Sequence, residues 1–358
     1  MVEAEFGAAL DSTHAFLTSS GKAALITALR ALSRIAPERR QVVVPAYTCF
    51  SLPAAVARAG MIAVPVDVDP STLDLDQEAL RRAVSPATLC VIQVHLFGRP
   101  ADTAAIGEVC REQEVFHIED AAQALGTTHD GKMLGTRGDI GIFSFGRGKT
   151  VTCGAGGAVV TQSGRVGALL RDEVVHLRAP AWHHETAALV SVGLMALFIR
   201  PALYWFPASL PFLGLGETVY DTEFPIARLS GMRAGLLGRW RRNLERGNAA
   251  RQENVAWYSQ RVRCAVASGD DAPLLRFPVL LATAGQKDRA LDASRRMGLG
   301  ISGMYPAAID ELSQVRAALG RRVECAQARD IARRLVTLPT HQHVRPKDRE
   351  RIVGALCS

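Results

Sequence analysis

Two side chains of opposite charge stand where apolar runs end. Asp120 closes the run VFHIED, and Lys149 follows the run DIGIFSFG through a short glycine-rich turn that also presents Ser144 and Arg147. In an open α/β sheet, ligands collect at the carboxyl ends of the strands. A carboxylate there is either a helix cap or a partner for a cationic ligand group. An amine with little flanking bulk reaches a ligand, and desolvation lowers its proton affinity and makes it a nucleophile. The chain has few other candidates for amine chemistry, since only Lys22, Lys132, Lys149, Lys287 and Lys347 are lysines among 42 cationic residues. A third feature is SSGKAAL at residues 19–25, which places Gly21 and Lys22 at the entry to a helical pattern. Free N–H groups and the positive end of a helix dipole suit a phosphate. Taken singly, these features read as a surface lysine and two helix caps. Together they supply an amine for a carbonyl, a carboxylate for a protonated ring nitrogen, and donors for a phosphate.

The elements that must position them follow from periodicity. GKAALITALRAL sets Leu25, Leu29 and Leu32 at helical spacing behind a capping serine. QVVVPAY, MIAVPVDVD, LCVIQVHLFG, VFHIED, DIGIFSFG and GGAVVTQ are short apolar runs bounded by Pro, Gly or Asp, with helical patterns such as DTAAIGEVCREQE between them. Such alternation predicts an α/β fold with a mainly parallel sheet covered on both faces. From Leu236 the chain turns Arg-rich and helical, then continues with LLRFPVLLA as a strand. The predicted organisation is a large α/β domain over residues 1–235 and a smaller α+β domain over 236–358. Residues 187–216 form an apolar, Pro-rich insert. Arg200 and Pro201 interrupt it before about 20 apolar residues accumulate, so a spanning helix is not expected. A buried, channel or interface segment is the preferred reading, with an interfacial or re-entrant helix as the alternative.

These strings are similar to the DegT/DnrJ/EryC1/StrS family of sugar aminotransferases, which have the fold-type I architecture of aspartate aminotransferase. The resemblance runs through VVVPAYTC, PVDVDPSTLDLD, VIQVHLFGRPADTAAI, HIEDAAQALGTTHDGKMLGTRGDIGIFSFGRGK, RFPV, GISGMYP and RRLVTLPTH. It implies pyridoxal 5′-phosphate as cofactor, with Lys149 forming the Schiff base and Asp120 facing the pyridine nitrogen. It places Gln123 by the ring near its phenolic oxygen, and Ser144 with the backbone of Gly21 and Lys22 on the phosphate. His95 reads equally as a ring neighbour or a core histidine. The resemblance further implies transfer of an amino group, from glutamate, to a keto sugar carried on a nucleotide, by a homodimer serving polysaccharide, O-antigen or secondary-metabolite biosynthesis. A non-sugar ketone, as in aminohydroxybenzoate synthases, and a non-catalytic pyridoxal-phosphate-binding regulator are the alternatives. Sugar dehydratases of the family carry histidine in place of the lysine, and this chain keeps Lys149.

Several positions depart from the family pattern. Cys49 stands where an aromatic residue often covers the ring, leaving Tyr47 or Phe50 as substitutes. Lys22 replaces a common threonine, and its ammonium could neutralise phosphate charge. Ala155 replaces a glutamate. The G-x-N-x-R segment that reaches the partner subunit's cofactor is not recognisable between Arg178 and Gly235.

Composition sets the outer bounds. The 358 residues are 48% hydrophobic and 22% charged, as in a soluble globular protein. Seven cysteines without CxxC spacing argue against a disulfide framework or thiolate zinc site and fit a reducing cytoplasm. The N-terminal residues lack the pattern of an export signal. No metal is expected, since His341 and His343 have no neighbouring carboxylate or thiol in sequence. The net charge of +7 is uneven: residues 228–358 carry 24 Lys and Arg against 12 Asp and Glu, and residues 1–227 carry 18 against 23. Without a basic-aromatic recognition module, this points to anionic small molecules rather than nucleic acid.

Overall fold

Seven strands form one sheet: β1 (His14–Thr18), β2 (Gln41–Pro45), β3 (Ile62–Val66), β4 (Thr88–Val94), β5 (Phe116–Asp120), β8 (Ile140–Ser144) and β9 (Gly157–Thr161). Their order across the sheet is β1-β9-β8-β5-β4-β2-β3. The structure is a computed structural model that describes residues 2–179, 193, 219–263, 266, 272–320 and 323–356. Strands β3, β2, β4, β5 and β8 run parallel, whereas β9 is antiparallel to both β8 and β1. The carboxyl ends of β1, β2, β5 and β8 therefore lie along one edge, together with the start of β9. The direction of the winding reverses at β2, which is flanked by β3 and β4, and such a reversal opens a crevice for ligands.

Burial on both faces explains the unbroken apolar runs. Val42 and Val44 belong to one buried layer with Cys90 and Ile92, while Val43 and Val91 belong to the layer on the opposite face. The first layer is completed by α2 (Gly21–Ser33), whose Ala24, Leu25, Ala28, Leu29 and Leu32 are buried. Ser20 caps this helix by accepting from Ala23 N at 3.1 Å. The opposite layer receives Ile106, Val109 and Cys110 from α5 (Thr103–Glu112), capped by Asp102. Between β5 and β8 the chain forms a small hairpin of β6 (Thr128–His129) and β7 (Lys132–Met133).

A second sheet pairs β10 (Arg276–Leu280) antiparallel with β11 (Leu335–Pro339) and has its own buried cluster. The 20-residue helix Trp240–Ser259 serves both clusters. Its Trp240 and Leu244 pack with Phe6 of the N-terminal helix Val2–Ala9 and with Phe143 and Phe145 at the end of β8, and its Val255 and Tyr258 pack with Phe277 and Val279. The expected boundary at 235/236 falls at the end of the short helix Gly231–Leu236 that precedes it. Apart from position 193, the apolar insert 187–216 lies outside the described residues. Among the described residues no helix is long and apolar enough to cross a membrane.

The approach of α2 to the sheet is close enough to require glycine. A Cβ on Gly157 would lie 2.5 Å from the amide nitrogen of Gly21 and 2.5 Å from the carbonyl of Ser20. Gly157→Ala should therefore lower unfolding free energy by about 1–3 kcal/mol, measured by denaturant titration, by forcing β9 away from the helix start. Gly164→Ala, at a position with nothing within 4 Å of the new Cβ, is the control and should leave the overlap-dependent loss absent.

Candidate active site

Three of the residues singled out by sequence meet at the carboxyl edge. Ser144 ends β8, and Gly21 begins α2 directly after β1. A Cβ on Gly21 would lie 3.1 Å from Ser144 Cβ and 3.3 Å from its Oγ, so the hydroxyl sits against the helix start. The amides of Gly21 and Lys22 have no acceptor among the described residues, because the capping side chain of Ser20 serves Ala23. Ser144 Oγ accepts from Gly146 N at 3.3 Å, which leaves its proton available to donate. Two free amides, a hydroxyl and the helix dipole form a cradle that a side chain at position 21 would narrow.

Asp120 ends β5 next to Val94 of β4. Its Oδ1 accepts from Ala122 N at 3.0 Å, and its Oδ2 has no partner among the described residues. Burial pushes this carboxyl above the usual aspartate range, against the opposing pull of the Ala122 N–H and the positive charge of Lys149. A half-buried carboxylate with a free oxygen is stabilised by a cationic group brought against that oxygen. Lys149 is half-buried in the turn after β8, with its backbone N–H donating to Gly146 O at 3.4 Å.

Gln123 is placed differently from a free ring contact. Its Oε1 accepts from Phe97 N and its Nε2 donates to the Tyr305 hydroxyl, both at 2.9 Å. Phe97 lies in the left-handed region, with φ of 61°, and its ring stacks on Tyr305 at 6.3 Å between centroids. Gln123 thus joins the β4–α5 turn to Tyr305, a residue in the GISGMYP string whose individual role sequence reasoning missed. Tyr47 and Phe50 are buried in the main core, and Tyr47 meets Tyr305 edge-on at 5.5 Å. Cys49 is half-buried, with Sγ accepting from Ser51 Oγ at 3.0 Å.

His95 proves to be a core residue. Its ring is fully buried, Nδ1 accepts from Ala101 N at 3.2 Å, and Nε2 faces Glu119 Oε2 at 2.9 Å. An accepting Nδ1 fixes the proton on Nε2, which donates to Glu119. Glu119 also accepts from the amides of Gly135, Arg137 and Gly138. Burial alone would raise its pKa, but the bonds from His95 and from the Gly138 and Gly135 amides overcome that and hold it down at about 2. Alternation along β5 puts Glu119 and Asp120 on opposite faces, a distinction that the adjacent letters E and D do not carry.

Lys22 points to a neighbour from the distant segment 219–228. Its ammonium lies 3.7 Å from the centroid of the Phe224 ring, and burial lowers its pKa against the opposing pull of Asp221 and Cys49.

A doubly covered, mainly parallel sheet thus carries Asp120, Ser144, Lys149 and the start of α2 on its carboxyl edge, in a fold of the pyridoxal-phosphate-dependent fold-type I class. The sequence profile of the DegT/DnrJ/EryC1/StrS aminotransferase family matches residues 1–188 and 226–357, and the chain belongs to that family. It is 40% identical over 166 residues to an L-glutamine:2-deoxy-scyllo-inosose aminotransferase of Micromonospora echinospora, covering 46% of this chain and 38% of the relative. It is 32% identical over 253 residues to the dTDP-3-amino-3,4,6-trideoxy-alpha-D-glucose transaminase of Streptomyces venezuelae, covering 62% of this chain and 63% of the relative. The chain spans about two fifths of the length of the first curated relatives it matches. Among solved structures, Helicobacter pylori PseC, an aminotransferase involved in the biosynthesis of pseudoaminic acid, superposes with a TM-score of 0.80 over 99% of this chain and 89% of its own. At 16% identity that likeness shows the fold alone. Pyridoxal 5′-phosphate is the cofactor of this family, and the residues present fit it. The free amides and hydroxyl suit its phosphate, the free Asp120 oxygen suits its ring nitrogen, and Lys149 would supply an amine for its aldehyde.

The Glu119 knot sets a pH dependence. A carboxyl depressed from 4.5 to about 2 contributes stability that is complete above its ordinary pKa and is lost as pH falls through about 2. That contribution is about 3 kcal/mol by linkage. Glu119→Gln should remove about that much at pH 7 and flatten the stability profile between pH 5 and pH 2.5, followed by urea unfolding. A variant as stable as the parent protein would show that the four donors do not depend on the charge.

Proposed function

We propose that this chain is a pyridoxal-phosphate-dependent aminotransferase that moves an amino group from an amino-acid donor, glutamate, to the ketone of a sugar carried on a nucleotide. The observation that carries this reading is the convergence of Lys149 and Asp120 at strand ends beside a cradle of unpaired amides and the Ser144 hydroxyl. The curated relatives support an acceptor that is a ketone on a six-membered polyhydroxylated ring: one acts on an inosose and another is named for a dTDP-linked amino sugar. The inosose relative also favours a second reading, in which the acceptor is a carbocyclic ketone without a nucleotide.

Pyridoxal phosphate supplies an aldehyde that exchanges amino groups and a ring that withdraws electrons. Gly21 and Lys22 amides, with Ser144 Oγ, anchor the phosphate. Asp120 Oδ2 holds the ring nitrogen protonated. Gln123, bonded at both ends to Phe97 and Tyr305, fixes the wall beside the ring. With the cofactor bound, Lys149 Nζ would hold its aldehyde at rest and, once freed by the donor amine, would carry the proton between the substrate α-carbon and the cofactor as general base and acid. The donor would leave as a 2-keto acid whose carbonyl oxygen comes from water, and the acceptor ketone would give that water back when it takes up the amine, with Lys149 again moving the proton. A homodimer is the assembly this reading carries.

Borohydride reduction of the loaded protein should fix the cofactor to the peptide containing Lys149. Lys149→Ala should lower half-transamination by at least about 10³-fold, and Asp120→Asn by about 10²–10⁴-fold, in single-turnover absorbance measurements. A screen of nucleotide-linked 3-keto and 4-keto sugars against inososes decides between the two acceptors. A purified protein that takes up no pyridoxal phosphate would refute the reading.

A further inference from the structure

We propose that Phe224 positions the Lys22 ammonium to neutralise the cofactor phosphate, so that a stretch outside the family profile acts on phosphate binding through Lys22. The inference rests on the cofactor reading above and adds to it a residue and a role. The cradle of Gly21, Lys22 and Ser144 offers two neutral amides and a neutral hydroxyl. These satisfy phosphate oxygens by hydrogen bonding but bring only partial charges to a group of charge near −2. Lys22, on the first turn of α2, is the full positive charge nearest in sequence to those donors. Its ammonium does not stray into solvent, because it lies over the Phe224 ring at 3.7 Å and is half-buried. Asp221 also acts on this ammonium. A carboxylate that captured it would cancel the charge the phosphate needs, whereas the face of an aromatic ring holds a cation and leaves its charge and donors available.

The ring itself is fixed. The segment 219–228 lies along the entry to α2: Ser19 N donates to Ala227 O at 2.8 Å, Ser19 Oγ to Pro225 O at 3.2 Å, and Ala227 N to Ser19 Oγ at 3.2 Å. Arg58 pairs with Glu223 at 3.8 Å, and Tyr220, Phe224 and Ile226 pack against the main core. The family profile matches residues 1–188 and resumes at 226, so Asp221 and Phe224 belong to the unmatched stretch. Phe224 is a positioning residue, since it acts through Lys22 and touches neither cofactor nor substrate in this scheme.

The test compares equilibrium affinity for pyridoxal 5′-phosphate with that for pyridoxal, which lacks the phosphate, by quenching of intrinsic fluorescence. Lys22→Ala should weaken pyridoxal phosphate binding by about 10- to 100-fold and Phe224→Leu by about 3- to 10-fold, with little change for pyridoxal. Phe224→Leu keeps apolar bulk, so a thermal midpoint equal to that of the parent protein separates the ring's electrostatic role from packing. In the double variant, the Phe224 change should add nothing once Lys22 is gone. Equal losses for both ligands, or independent effects in the double variant, would overturn the inference while leaving the cofactor reading intact. Unchanged affinity in either single variant would do the same. A parent protein that binds neither ligand would overturn both.

Discussion

The site depends on one buried carboxylate. Glu119 accepts from the His95 ring and from three backbone amides of the 135–138 turn, and both the carboxylate and the ring lie out of water. A buried charge is costly unless each lone pair is met, and here the donors come from two stretches of chain that would otherwise be independent. The knot holds the turn after β4, through His95 and Ala101, and the return from the β6–β7 hairpin, through Gly135 and Gly138. Asp120 is the next residue on the same strand and faces the other way. Its position is thus set by a neighbour on the opposite face of the strand, while the charge of Lys149 opposes the effect of burial on its own carboxyl.

Much of the fold was legible because parallel strands covered on both faces leave an unmistakable pattern. QVVVP and LCVIQV can be little else, and the ends of the similar runs FHIED and IGIFS mark where Asp120 and Ser144 emerge. The antiparallel course of β9 was not legible. GAVVT is as apolar as its parallel neighbours, and direction is set by connection length and register rather than by residue type. The pairing of Gly21 with Ser144 was visible as two separate donors, but their contact depends on Gly157 admitting the helix start. Gln123 shows the limit more sharply. Its place in the HIEDAAQ string puts it near the ring, yet both ends of its amide are committed to Phe97 and Tyr305, the latter 182 positions away. Long-range partners of a buried amide leave no local signature.

The basic half of the chain also takes on a different meaning. Arg276 is bound to Thr337 and to the carbonyl of Gly300, Arg334 to Asp330 and the carbonyl of Leu281, Arg349 to Glu253, and Arg329 to the buried Asp310. Asp67 also reaches across to this half from the large domain: it accepts from Gln327 N and Ala328 N at the start of the helix Ala326–Arg334. Part of the positive excess is therefore structural, holding carbonyls and helix ends, and cannot be counted as surface facing a ligand. The anionic substrate proposed here needs only the remainder.

The stretch that the family profile does not match raises a question of tolerance: how does the fold accept a divergent connection between residues 188 and 226? Its described ends answer in part. Arg178 and Ala227 form a bridge, and Arg228 N donates to Arg178 O at 3.1 Å, so the chain returns to the point from which it left. Once two ends are pinned together, lengthening the connection costs only about 0.6 kcal/mol per doubling of its length. The return is pinned a second time, by Ser19 against Pro225 and Ala227, at the first turn of α2. Those contacts exact a constraint of their own, because a segment fastened to the start of α2 must fit around the phosphate cradle. Selection on the returning arm then becomes selection on the pocket. That coupling gives a physical reason for a lysine at position 22: a residue on the first turn of α2 and the ring that covers it share one small volume, and neither can be chosen without the other.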